Sequence, residues 1–463
     1  MIKFYNTLHN KKEEFYEREK GLVKMYTCGP TVYNFAHIGN FRTYVFEDLL
    51  RRYLKYKGYK VIQVMNITDV EDKTIREAKK AGLSLEAYTK KYEKFFFEDL
   101  DILGIERAEY YPRATEHIDQ MVVIIKKLRE QGFTYESEGS IYFDISKFEK
   151  YGKLSNIEIN ETKSGLRYDT DEYEKEDVRD FVLWKAKKGD EPSWNTELGV
   201  GRPGWHIECS AMSMHYLGES FDIHTGGVDN MFPHHENEIA QSECCTGKKF
   251  VNFWLHSAHL TLKEGKMSKS IGNILNVRQI LEKGFSKEAL RYFLLSAHYK
   301  SPLAYSEEAL EAAEKAVTHV NYFRDFIDDF KVGSENKKIA AHIQEGKKGF
   351  EDNFDDDLNS AGALGVLFIF IRNINKELSN SSMNAQNKTE ILNFLQSVNR
   401  VLGVLRENKK DLLDKDIEEL IHKREEARKN KDFSLSDTIR NDLLSKGIEL
   451  EDRKDGTRWI RKK

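Results

Sequence analysis

Val23-Lys24-Met25-Tyr26-Thr27-Cys28-Gly29-Pro30-Thr31, His37-Ile38-Gly39-Asn40 and Lys60-Val61-Ile62-Gln63-Val64-Met65-Asn66-Ile67 decide how the first part of the chain folds. Residues 23–28 are a short apolar strand, closed by the turn Gly29-Pro30-Thr31. Over residues 38–57, Phe41, Val45, Leu49 and Leu50 recur at helical spacing, and Gly58 stops the run. Residues 60–67 then read as a buried strand. Strand, helix, strand over this length is a βαβ unit, which predicts a parallel sheet with a right-handed crossover. Such sheets bind ligands beyond the carboxyl ends of their strands, where Cys28 and Thr68 fall.

Outward from that unit, the pattern changes over residues 112–193, with a helix at 117–131, a strand at 140–145 and a charged stretch at 168–180. This span reads as an insertion, because residues 194–260 return to strands, glycine turns and a helix, the strands expected at 221–224 and 253–256. The first domain is therefore 1–111 with 194–260, and 261–304 forms a lysine-bearing loop and its continuation. Residues 305–330, 337–352, 356–378 and 386–407 each carry a 3.6-period apolar face, so 305–408 is a helical bundle. Residues 409–463 form a last small domain: a helix pair split near Phe433, a turn at Gly447-Ile448-Glu449-Leu450, and a basic tail, Arg458-Trp459-Ile460-Arg461-Lys462-Lys463.

Composition fits this plan. The chain has 463 residues, 40% hydrophobic and 32% charged, enough for several cores. Its most apolar run, residues 361–371 between Asp357 and Arg372, falls short of the roughly 18 residues of a membrane span. No signal-peptide core precedes it, which predicts a cytoplasmic protein. Four cysteines make no disulfide framework and read as ligands or small buried residues. The net charge of −4 decides nothing about an RNA partner, since phosphate is held by local patches.

Three groups of residues can carry chemistry. His37-Ile38-Gly39-Asn40 opens a helix, whose free N–H groups and partial positive charge suit phosphate; the same residues also suit an ordinary helix start. Lys266-Met267-Ser268-Lys269-Ser270, between Gly265 and Gly272, can neutralise a departing pyrophosphate or simply be a solvated basic loop. Cys28, Cys209, His234 and Glu238 offer two thiolates, an imidazole and a carboxylate, a zinc-compatible set. A helix beginning at Pro233 puts His234 and Glu238 on one face. Buried cysteines beside a polar helix explain the same residues, and His235, Cys244 and Cys245 compete as ligands.

Together, the first two motifs resemble those of the class I aminoacyl-tRNA synthetases, with Asn40 where many members have histidine. Thr27-Cys28-Gly29-Pro30-Thr31-Val32-Tyr33, Met65-Asn66-Ile67-Thr68-Asp69, and the strings at 203–212, 221–243 and 265–273 resemble the cysteine-specific branch. The likeness runs from near residue 20 to the C-terminal tail.

That resemblance implies a Rossmann-type catalytic domain with an insertion, a bundle and a small anticodon-binding domain. It implies ATP-dependent joining of cysteine to tRNA(Cys) through an adenylate, with ATP as substrate together with Mg2+. One zinc ion per chain, on Cys28, Cys209, His234 and Glu238, takes the substrate thiol as a further ligand. Catalytic roles fall to His37, Asn40, Lys266 and Lys269, the amino-acid pocket to Thr68 and Trp205, and the adenosine turn to Gly226, Gly227 and Asp229. Arg428, Asp437, Arg440, Asp452 and Trp459 are candidates for base contacts. A site built on a group its competitor lacks discriminates by roughly 10⁴–10⁵, so no editing domain is expected. A monomer without membrane contact is expected. The alternatives are a cysteine ligase with a small-molecule acceptor, a zinc hydrolase, and a non-catalytic RNA-binding paralogue. The hydrolase leaves Lys-Met-Ser-Lys-Ser unexplained.

Overall fold

The computed structural model describes residues 1–156, 180–262, 265–266, 275–379, 381–406, 409–430, 432–445, 448–453 and 456–461. They fall into two compact units, Met1–Val404 and Leu405–Lys463.

The first unit opens with a hairpin, β1 (Lys3–Asn6) and β2 (Lys11–Glu14), followed by β3 (Leu22–Thr27), α1 (Ile38–Tyr56) and β4 (Lys60–Met65). β3 and β4 pair in parallel, so the chain forms the expected βαβ unit. One face of α1 is apolar, and Phe41, Val45, Leu49 and Leu50 are buried on it. Helices α2 (Asp72–Lys80), α3 (Leu85–Ile102) and α4 (Ile118–Glu130) follow.

Next come β5 (Thr134–Ser137), β6 (Ser140–Phe143), β7 (Phe181–Ala186), β8 (Trp194–Thr196) and β9 (Gly199–Pro203). They form one antiparallel sheet in the order β5-β6-β7-β9-β8. The sheet runs past residue 193 to Pro203, because the β8–β9 hairpin pairs with β7 rather than with the parallel sheet.

The chain then makes α5 (Trp205–Leu217), β10 (Phe221–Gly227), α6 (Glu236–Thr246) and β11 (Val251–Ser257). β10 and β11 complete a parallel sheet in the order β11-β10-β3-β4. Every residue of β11 is buried, as in a strand covered on both faces. Short strands β12 (Leu260–Leu262), β13 (Gly265–Lys266) and, after α7 (Val277–Glu282) and α8 (Lys287–Leu295), β14 (Leu303–Tyr305) form a small separate sheet.

The bundle is α9 (Glu307–Asp329), α10 (Lys337–Asp355), α11 (Ser360–Leu378) and α12 (Ala385–Leu402). It is locked to α1 through Arg291 of α8, fully buried, which donates to Leu402 O at 2.6 Å and pairs with Asp48. No helix among the described residues is long and apolar enough to cross a membrane.

The second unit holds α13 (Lys409–Lys429), α14 (Phe433–Ser445) and an antiparallel hairpin, β15 (Ile448–Arg453) with β16 (Gly456–Arg461). Ile417, Ile421, Ile439, Leu443, Ile448 and Leu450 form its core. The expected turn at Ile448–Leu450 and the expected tail at Arg458–Arg461 are thus paired strands. Ile448 and Leu450, two apart on β15, both point to one core.

Candidate functional site

Gly29 fixes the floor of a cleft at the carboxyl ends of the parallel strands. A side chain there would strike Asn66 O at 1.8 Å, so the two strand ends can approach only at glycine. The approach lets Asn66 Oδ1 accept from Gly29 N at 2.8 Å, and Thr68 N donate to Pro30 O at 3.0 Å. Cys28 and Thr68 are thereby set side by side. The cleft has a volume of about 370 Å³, and Cys28, Cys209, His234, Thr68 and Trp205 all line it.

Two helices bring the other donors. Trp205 and Cys209 lie four apart on α5, and so share a face. His234 precedes α6 and Glu238 lies one turn later, with His234 Nε2 3.1 Å from Glu238 Oε1. Donor atoms of Cys28, Cys209, His234 and Glu238 all lie within 4.8 Å of one another. Trp205 stacks on His234 with ring centroids 4.2 Å apart.

The four groups shift one another's ionisation strongly. Cys28 is pushed well above the usual thiol range, first by its hydrogen bond with Cys209 and then by burial. Burial also raises Cys209, but Cys28 and His234 outweigh it and hold that thiol down to about 6. Burial opposes ionisation of Glu238, yet His224 and His234 draw it down to about 2. His234 is disfavoured as a cation by burial, but Cys209 and Glu238 carry it up to about 10. Glu238 Oε1 is buried with no hydrogen-bond donor, although His234 Nε2 is near. A buried carboxylate oxygen beside an imidazole nitrogen and two thiols makes a donor set of two sulfurs, one nitrogen and one oxygen. The donor chemistry fits zinc.

A second set, Cys28, His224, His235 and Glu238, satisfies the same distance limit. It differs in access. His224 and His235 are fully buried and do not line the cleft, whereas Cys209 and His234 of the first set do. Their nitrogens are used internally: His224 Nε2 sits 3.0 Å from Glu238 Oε2, and His235 Nδ1 2.8 Å from His256 Nε2. Cys244 and Cys245 lie in α6 in neither group. The adjacent pair His234-His235 is the one local sign of this imidazole network in the sequence, where His235 reads only as a competing ligand.

Across the cleft, α1 begins with a reciprocal cap. His37 Nδ1 accepts from Asn40 N at 3.1 Å, and Asn40 Oδ1 accepts from His37 N at 3.1 Å. The Asn40 side-chain carbonyl is therefore spent on the cap, leaving its amide NH₂ as donor. Gly227 and Asp229 also line the cleft, with Asp229 66% exposed and 4.0 Å from His259. Gly226 does not: it is buried against His235, whose ring a side chain there would strike at 2.7 Å. Thr68 donates to Glu208 Oε2 at 2.9 Å and accepts from Asn66 Nδ2 at 3.2 Å.

Lys269 lies outside the described residues, and so does the Lys266 side chain, whose backbone pairs with Thr261. The charged stretch at 168–179 and the side chains of Asp452 and Arg458 also lie outside them. Arg428, Asp437 and Arg440 are exposed in the second unit, whereas Trp459 packs against its core.

The chain matches two family models: the catalytic domain of class I (C) tRNA synthetases over residues 14–315, and the DALR domain over 349–406. The second match falls on α10–α12. A cysteine--tRNA ligase of Leptospira interrogans serovar copenhageni is 48% identical over 100% of this chain and 99% of its own length. One of Brachyspira hyodysenteriae is 47% identical over 100% and 99%. Mycobacterium tuberculosis methionyl-tRNA synthetase, solved with methionyl-adenylate, superposes with a TM-score of 0.58 at 15% identity, over 83% of this chain and 90% of that one. That last likeness is one of fold.

Proposed function

The chain belongs to the cysteine--tRNA ligase family of class I tRNA synthetases, and from that premise we propose that it joins L-cysteine to tRNA(Cys) through a cysteinyl-adenylate, with zinc reading the substrate sulfur. The observation that supports the zinc reading most is the meeting of Cys28, Cys209, His234 and Glu238, the first three of which line the cleft onto which α1 opens and the last of which is buried behind them.

Zinc held by those four residues supplies a soft acid that binds the thiolate of cysteine and has no equivalent hold on the hydroxyl of serine. Around it, the chain positions the reactants. Trp205 walls the amino acid, and Thr68, itself held by Glu208 and Asn66, presents its hydroxyl to it. The N-terminus of α1, with His37 and Asn40, holds the triphosphate, and Asp229 takes the ribose hydroxyls. The cysteine carboxylate attacks the α-phosphorus, the bond to the β-phosphate oxygen breaks and pyrophosphate leaves, its charge met by Lys266 and Lys269; Mg2+, when bound with ATP, would supply further neutralisation. A terminal ribose hydroxyl of the tRNA then attacks the activated carbonyl, and AMP departs. Positioning and charge stabilisation carry the rate.

The DALR-matched helices and residues 409–463 supply the tRNA-reading portion, and the protein acts as a cytoplasmic monomer. Exchange of labelled pyrophosphate into ATP that depends on cysteine and not on serine tests the first step. Charging of tRNA(Cys) tests the second. Serine-supported exchange equal to that with cysteine would remove the sulfur-reading role.

A further inference from the structure

A second cavity of about 570 Å³ lies in the first unit, and it shares no lining residue with the cleft. Three stretches of chain enclose it: the β1–β2 turn at Leu8, the insertion from Phe133 to Lys153, and the end of α6 running into β11 at Lys249 and Trp254. Its walls are fixed. Asn6 accepts from Trp254 N at 3.1 Å and donates to Asn252 O at 2.9 Å, which ties the β1–β2 turn to β11. On the side of the insertion, Lys147 donates to Gly132 O at 2.8 Å. Trp254 is held from behind by the His224 ring, 4.4 Å away and 18° from parallel.

Its chemistry divides between inside and mouth. Leu8, Phe133, Phe148, Ile239 and Trp254 are buried or half-buried, whereas the lysines that line it are exposed. Lys147 and Lys248 have acidic partners, Asp144 and Glu219. Lys150, Lys153 and Lys249 have no ion pair among the described residues. The carboxylate of Glu243, which also lines the cavity, is engaged with the Phe250 amide at 3.1 Å. Burial, helped by repulsion from Lys153 and Arg18, holds the Lys249 ammonium below its ordinary value, although Glu13 and Glu243 pull the other way. Unpaired ammonium groups at the mouth of one apolar cavity repel one another. A bound anion removes that repulsion, and an apolar body attached to it displaces water from the rings. A nucleic-acid backbone would meet the lysines and leave the interior unfilled.

We propose that this cavity is a binding site for a small aromatic phosphate, its flat body against Phe148 and Trp254 and its phosphate among Lys150, Lys153 and Lys249. Three cations suit a dianion better than a single carboxylate. The site is separate from the reaction in the cleft and goes beyond it, since no residue here is assigned to cysteine, ATP or tRNA.

The test is an NMR titration of the full-length protein with 1-naphthyl phosphate. Binding should saturate with a Kd of about 1 mM or below. Inorganic phosphate and 1-naphthol, each carrying half of the ligand, should bind at least about 10-fold more weakly. Lys150→Gln, Lys153→Gln and Lys249→Gln combined should weaken 1-naphthyl phosphate at least about 10-fold. All three side chains are exposed, so that variant should fold and keep its cysteine-dependent pyrophosphate exchange. Lys73→Gln, a charge change at the wall of the cleft, should leave the binding as it is. Binding that does not saturate, or inorganic phosphate binding as tightly as 1-naphthyl phosphate, would overturn the site. A loss in Lys73→Gln as large as in the triple variant would place the probe in the cleft and overturn it too. Displacement by an equimolar amount of tRNA would assign the lysines to RNA and overturn the small-molecule reading.

Discussion

His224 Nε2 lies 3.0 Å from Oε2 of Glu238, both side chains fully excluded from solvent. The contact holds the carboxylate from behind while its other oxygen faces His234. His224 is itself clamped, its ring stacked on Trp254 at 4.4 Å. Partners that orient a metal ligand typically contribute 10- to 100-fold in metal affinity. His224→Phe keeps the stack and removes the contact, so zinc affinity should fall by about that factor, read by competition with a chelating dye. An unaltered affinity would mean that Glu238 is oriented by its helix alone.

Cys209→Ser should lose the metal more completely. A hydroxyl at that position cannot supply the soft anion that the buried cluster provides, and it offers Cys28 and His234 no thiolate. Elemental analysis of the purified variant should find less than about one tenth of the unaltered zinc content, with thermal stability lowered. Full zinc content would remove Cys209 from the ligand set.

Glu47 has a different role in the same region. It is buried on α1, one oxygen accepting from Thr225 Oγ1 at 2.8 Å and the other without any donor. Burial pushes its carboxyl up to about 8, only partly opposed by the Thr225 hydrogen bond. The unfolded chain ionises this group near the ordinary carboxyl value, so between there and about 8 the folded state holds the extra proton. Stability therefore falls as pH rises through that window. Between pH 6 and pH 8 the unaltered protein should lose about 2 kcal/mol more than Glu47→Gln, which keeps the acceptor and cannot ionise. Urea midpoints at the two pH values measure it; parallel shifts in both proteins would show that Glu47 is already ionised.

How much of this was legible beforehand follows from what is local. The β3–α1–β4 unit and the four bundle helices announce themselves through apolar periodicity, which needs only neighbours in sequence. The tail did not, because Gly447 signals a turn while the pairing of Ile448 with Arg461 depends on residues beyond it. Trp194–Thr196 likewise joins the antiparallel sheet through a partner, Gly199–Pro203, that periodicity cannot choose. At the site, Cys28, Cys209, His234 and Glu238 could be named because resemblance singles them out. Spacing alone left Cys28 and Glu238 210 positions apart with nothing to join them. The contacts of His235 with His224 and His256 stay hidden for the same reason, so that His235 reads from sequence only as a competing ligand, and the mutual cap of His37 and Asn40 requires backbone geometry to see.

Arg291 tests the joint between the catalytic region and the bundle. Its guanidinium donates to the carbonyls of Leu402 and Leu103 and pairs with Asp48, all without solvent access. Arg291→Met would leave those carbonyls and part of the Asp48 charge buried without a donor, although Arg52 still reaches Asp48 at 2.7 Å. Removing one partner of such a group should cost about 3 kcal/mol. Chemical denaturation would register the loss as a lower midpoint; a change below about 1 kcal/mol would show that water or Arg52 takes over.

Under the proposed function, the small C-terminal unit should bear on the second step alone. Its core, from Ile417 to Leu450, is its own, and the cleft is built wholly from residues before 261 among the described residues. A chain ended at Val404 should therefore still fold its catalytic region and support cysteine-dependent pyrophosphate exchange. Charging of tRNA needs the catalytic end and the reading end to engage one molecule together, and loss of the second contact removes the gain from linkage. Charging efficiency at limiting tRNA should drop on the order of 10²-fold while exchange persists. Equal loss of both activities would show that residues 405–463 serve the integrity of the whole protein and not the recognition of tRNA.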